Sequence, residues 1–104
     1  MHLMHLASHI CNFRAHDAKF GVTHGKLAGG GHVIRASGTV LFSNVENILD
    51  RFVAQAEKSL QNSVIIIDLT KVHYLDQISA KVLSDGLHYP SIKTVFIVCS
   101  KGRF

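Results

Sequence analysis

The chain has no tryptophan, one proline and two cysteines among 104 residues, and only 17% of its residues carry charge. Each scarcity excludes something. Cys11 and Cys99 stand far apart and are too few for the disulfide framework of a small secreted domain, so reduced thiols are expected. No apolar run approaches the roughly 20 residues of a membrane-spanning helix. The start, Met1-His2-Leu3-Met4-His5-Leu6, has no basic region followed by a sustained apolar core, so no secretory signal is expected. Lysine and arginine are scattered and never form a run. The net charge of +4 therefore reads as a weak preference for anionic surfaces, not as a nucleic-acid interface. No histidine or cysteine is positioned by sequence to pair with a carboxylate for acid–base chemistry. The expectation is a soluble, cytoplasmic, non-enzymatic protein with no cofactor, no membrane span and no nucleic-acid partner.

What is present points to one small domain with a modest core, which a partner or a homodimer would help to cover. Residues 1–17 form an N-terminal extension without a clean period, and 18–104 form the domain. His2, His5 and His9 fall at helical spacing, as do Leu3, Leu6 and Ile10. With Cys11 and His16 these histidines could hold a metal, but their spacing matches no standard motif and a surface face is the simpler reading; no metal site is expected.

Ala18 to His24 alternates around Phe20 and Val22 and predicts a strand. Gly25 to Gly31 predicts a turn, and His32 to Leu41 a second strand with Gly38 as a bulge, so the two strands make a hairpin. His24 and His32 then lie in solvent beside the turn. Gly29-Gly30-Gly31 matches neither G-x-G-x-x-G nor a P-loop and has no helix after it, which favours a turn over a phosphate cradle. Ser43 and Glu46 have the spacing of a capping box. Val45, Ile48, Leu49, Phe52, Val53, Ala56 and Leu60 follow at helical spacing, with Asp50, Arg51, Gln55, Glu57 and Lys58 opposite, predicting a helix over 44–61.

Val64 to Leu69 is a continuous apolar run, expected to be a central strand covered on both faces. A short loop follows. Asp76 then caps a second helix whose apolar positions Ile78, Val82, Leu83 and Leu87 point one way, and which ends around Gly86 to Pro90. Asp68, at the strand's end, is expected to bond the adjacent loop backbone rather than to act as a base. Thr94 to Cys99 makes a last strand. The order β-β-α-β-α-β, with right-handed crossovers, predicts an α/β fold: a small mixed, mostly parallel four-stranded sheet with helices largely on one face.

Two stretches carry a family resemblance. Gly38-Thr39-Val40-Leu41-Phe42-Ser43-Asn44-Val45-Glu46 resembles the approach to the first helix in SulP-type anion transporters. Val64-Ile65-Ile66-Ile67-Asp68-Leu69-Thr70-Lys71-Val72-His73-Tyr74-Leu75-Asp76 resembles the strand and loop shared across the STAS domain family, named for sulfate transporters and anti-sigma-factor antagonists. The match spans about residues 18 to 100. The resemblance implies a regulatory, protein-interaction module whose working surface is Tyr74, Asp76, Gln77, Ile78 and Ser79, with a transporter or regulatory protein as partner. It also implies a further helix after the last strand, which is expected to be missing here. Where the family's loop continues Asp-Ser-Ser-Gly or Asp-Thr-Thr-Gly, this chain reads Asp76-Gln77-Ile78-Ser79. The position phosphorylated in anti-sigma-factor antagonists is thus Ile78, which has no hydroxyl. The alternatives are a nucleotide or anion held at the helix start near Gln77 to Ser79, or an anti-sigma-factor-antagonist-like switch without the usual acceptor, with Ser79 as a displaced one.

Overall fold

The computed structural model describes residues 19–60, 63–92 and 94–100, so residues 1–18, with the histidine group and Cys11, lie outside the described residues. The elements are β1 (Gly21–Lys26), β2 (His32–Val40), α1 (Val45–Lys58), β3 (Val64–Leu75), α2 (Gln77–Gly86) and β4 (Thr94–Val98). The strands lie in the order β1-β2-β3-β4. β1 pairs with β2 antiparallel, while β2–β3 and β3–β4 are parallel and joined through the helices. The hairpin, the mixed sheet and the element order are those the sequence implies.

The hairpin turn is compact. Gly29 and Gly30 take φ of 95° and 104°, a region that side chains disfavour. Leu27 N–H bonds to Gly31 O at 2.8 Å and Gly30 N–H to Leu27 O at 3.1 Å. Gly38 is the expected bulge, with φ 80°, and a Cβ there would collide with the Lys19 carbonyl that crosses over it.

β3 differs from its sequence reading in two ways. It does not end at Leu69 but runs on to Leu75 through the stretch read as a loop. Two register shifts against β2, between Arg35 and Ser37 and between Gly38 and Thr39, each put an extra residue into β3. The buried positions therefore step from Ile65, Ile67 and Leu69 to Val72 and Leu75, and polar Lys71 and His73 turn outward without ending the strand. The strand is also covered less evenly than expected. Ile66 and Asp68 are only partly buried among the described residues, while their neighbours are fully enclosed. An unbroken β-branched run hides this alternation, because both faces of the strand carry apolar residues.

The core fills the space between one face of the sheet and the helices. Ile34, Ala36, Ile65, Ile67, Leu69 and Val95 meet Val45, Ile48, Phe52 and Ala56 of α1 and Ala80 and Leu83 of α2. Four details of the helices differ from the expected pattern. Asn44, not Ser43, is the N-cap of α1, so no Ser43–Glu46 box forms. The Asn44 amide instead ties the turn to the end of β2, accepting from Leu41 N–H at 2.8 Å and donating to Thr39 O at 3.1 Å. Val53 and Leu60 are exposed, and Gln55, placed on the polar face by periodicity, is buried. Ile78 is 62% exposed and so does not share the inward face of Val82, Leu83 and Leu87. Its place in the first turn of α2 faces away from the sheet, and three-residue periodicity over a ten-residue helix is too short to reveal that.

Candidate functional site

The carboxyl ends of β2 and β3 lie side by side, with Val40 opposite Leu75 and Thr39 opposite Tyr74. From this end the chain leaves along two neighbouring routes. After β2 it makes a tight turn, Leu41 to Asn44, closed by Asn44 N–H to Leu41 O at 3.0 Å and Val45 N–H to Leu41 O at 2.9 Å. That turn lifts Phe42 out of the core to 65% exposure. After β3 the chain passes Asp76 and enters α2. Asp76 sits in extended backbone geometry, and its Oδ1 accepts from Ser79 N–H at 2.6 Å. It is the helix N-cap, satisfying one of the amides that the first turn leaves open.

Each residue expected at the site can now be placed. Tyr74 is half-buried on β3, Asp76 is half-buried in its capping role, and Gln77 and Ile78 are exposed in the first turn of α2. Ser79 is fully buried, and its Oγ is enclosed with no hydrogen-bond partner among the described residues. A kinase could reach that hydroxyl only after the first turn of α2 opened. Among the described residues, Phe42 and Ile78 expose large apolar side chains at this end. The sequence offers Phe42 only as part of the Gly38 to Glu46 resemblance; the turn after β2 brings it to the surface.

The carboxylates here are structural. Asp68 Oδ1 accepts from Thr70 N–H at 2.9 Å and from Thr70 Oγ1 at 2.7 Å, and Arg35 Nε meets Asp68 Oδ2 at 3.2 Å. Burial pushes the Asp68 carboxyl up, but these hydrogen bonds and the Arg35 charge outweigh it and hold the group below the usual carboxylate range. These bonds brace β3 where its register slips, as the sequence suggested for this aspartate. Cys99 is half-buried, and both burial and the Asp68 charge push its thiol up, which disfavours the reactive thiolate. On α2, Lys81 Nζ pairs with Asp85 Oδ2 at 3.0 Å as an exposed i, i+4 ion pair. No group of three or more metal-ligating side chains occurs among the described residues, and no helix among them is long and apolar enough to cross a membrane.

A mixed β-β-α-β-α-β sheet, with its exposed surface at a strand-to-capped-helix junction, defines the STAS class of small α/β domains. The STAS domain family model matches residues 26–88, over half of the chain, and the chain belongs to that family. Among solved structures it is similar to a STAS domain described as an antisigma-factor antagonist from Rhodobacter sphaeroides, at 22% identity and a TM-score of 0.55, covering 79% of this chain and 88% of that one. At that identity the likeness concerns the fold. No curated protein matches the chain.

Proposed function

We propose that this STAS domain is a non-enzymatic regulatory module that docks another protein through the surface formed by Phe42, Gln77 and Ile78 around the capped start of α2. The observation that carries the reading is the exposure of Phe42 at 65% and Ile78 at 62%, just beyond the adjacent ends of β2 and β3, in a chain similar to a STAS domain described as an antisigma-factor antagonist. Apolar side chains ringed by an amide and an ion-paired helix suit a protein interface, where buried apolar anchors with a polar rim supply affinity. Tyr74 and Asp76 shape this surface from behind, and Ser79 anchors the turn from within the core. The position that bears phosphate in a kinase-controlled relative is the exposed Ile78. That residue favours constitutive docking over a phosphorylation switch.

The partner is a transporter or a regulatory protein of the same cell, encountered in the cytoplasm; the resemblance of the Gly38 to Glu46 stretch to SulP-type transporters favours the former. A homodimer is the second feature of this reading. It is supported by Phe96 and Val98, which are 51% and 42% exposed on the edge strand β4.

Phe42→Ala combined with Ile78→Ala tests the docking surface. Both side chains are exposed, so the double variant should keep its stability within about 0.5 kcal/mol of the parent. It should fail to co-purify with the transporter or regulatory protein that the parent retains from its own cells. Retention of that partner by the stable double variant would sink the proposal.

A further inference from the structure

At the opposite end of the sheet, where β1 turns into β2 and α1 ends, lies an open cleft of about 400 Å³ lined by His24, Lys26, His32, Gln55, Lys58 and Ser59, among others. None of its lining residues is acidic. We propose that this cleft binds a tetrahedral oxyanion, a sulfate or phosphate group, between the Lys26 and Lys58 ammoniums and the His24–His32 pair.

Three independent features converge there. The first is charge. Lys26 at the end of β1 and Lys58 in the last turn of α1 come from different elements, and both are exposed, so their ammoniums can turn towards one ligand. The second is the histidine pair. The sequence reading left both rings in solvent, but His32 is only 8% exposed. Its Nδ1 lies 3.1 Å from His24 Nε2, and the rings stack with centroids 5.2 Å apart. One proton is shared in that contact. Nδ1 of His24 and Nε2 of His32 remain outside it as sites for a further proton and a further bond. The third is Gln55. It is 8% exposed, lines the cleft, and its side-chain amide makes no hydrogen bond within the described residues. Its NH2 group is a donor at the cleft wall, open to a ligand oxygen.

The carboxyl end of α1 carries partial negative charge, which opposes an anion. That opposition is blunted, because the carbonyls of Gln55 and Ala56 already accept from Ser59 Oγ at 2.6 Å and Ser59 N–H at 3.2 Å. The start of α2 is a poorer choice for the same ligand, since the Asp76 carboxylate already fills its first turn. The cleft also leaves room beside one oxyanion for the organic part of a small phosphomonoester.

The histidines give the site a signature. The charged and titratable groups facing them are Lys26 from β1 and Lys58 from α1. Asp50 and Arg51, further back on α1, line the neighbouring cleft. Among the described residues, β3 and the hairpin turn bring no charged side chain to the lining of this cleft. Burial, then the charges of His24 and Lys26, lower the pKa of His32 in the free protein. A bound dianion offsets the charge of an imidazolium, so binding takes up a proton and tightens as pH falls.

Calorimetry with sulfate, whose own charge does not titrate in this range, reads that signature directly. Affinity should rise about tenfold between pH 8 and pH 6, the size of one added charge-assisted hydrogen bond. In heteronuclear NMR the His24 and His32 ring resonances should move with sulfate and not with chloride at matched ionic strength. Lys26→Ala with Lys58→Ala, both at exposed positions, should weaken sulfate at least about tenfold, while Lys71→Ala on β3 should leave it unchanged. Tighter binding of glycerol phosphate than of inorganic phosphate would assign the cleft to a phosphomonoester, and equal binding to the free oxyanion. Equal response to chloride, full affinity in the double lysine variant, or a flat pH profile with sulfate would each overturn the proposal.

Discussion

Single residues in this domain do work that their type alone does not reveal. Asp76 closes the first turn of α2, so Asp76→Ala should cost about 1 kcal/mol of stability in urea denaturation, and Asp76→Asn, which keeps an accepting oxygen, much less. Two ionisable residues make stability fall with acid in separate windows. The folded pKa of His32 is lowered from its ordinary 6.5, so as pH drops through 6.5 the unfolded chain takes up the proton first. Stability should decline there and level off once the folded pKa is passed. His32→Gln should flatten this step in denaturation midpoints measured from pH 8 to 5. Asp68 has its folded pKa depressed below 3.8, so the stability it contributes is present above that value and is lost as pH falls through it to the folded pKa. Asp68→Asn should remove this lower step and leave the first intact.

Among the elements, α1 and β3 carry the fold. α1 is amphipathic along its whole length, and its central Phe52 is fully enclosed between helix and sheet. Phe52→Ala should destabilise the domain by about 3–5 kcal/mol, read as a shift in the denaturation midpoint with unchanged slope. β3 shows where reading by element type fails. Its first half was plain from the apolar run Val64 to Leu69. Its second half, Thr70 to Leu75, looks like a loop because the core positions change from every second to every third residue. That change belongs to the pairing with β2: two bulges, braced at Asp68 and Thr70, return Val72 and Leu75 to the core. Periodicity within one strand cannot report a register held by another.

For the whole molecule, the two ends of the sheet have different chemistry. The carboxyl ends of β2 and β3 present apolar Phe42 and Ile78, and the hairpin end presents two lysines and a histidine pair. If β4 forms the homodimer contact, replacing Phe96 and Val98 with Thr should shift the mass in light scattering from two chains to one. It should leave the docking surface at Phe42 and Ile78, on other elements, competent for its partner. A mass of one chain for the parent protein would exclude that contact.

The sequence by itself determined the class of fold and the place where the chain turns from strand to capped helix. Those depend on local patterns: the helical stripe from Val45 to Ala56, the apolar run of β3, the positive-φ position at Gly38 and the oxygen of Asp76 three residues before Ser79. Tertiary structure decided which side chains stand together and which are exposed. Ile78, grouped by periodicity with Val82, Leu83 and Leu87, stands outside, as does Phe42 on the turn after β2. His24, His32, Gln55 and Lys58 are scattered over a hairpin and a helix, and meet only because α1 lies across β1 and β2. Burial and proximity are properties of packed surfaces, and no local pattern in the chain encodes them.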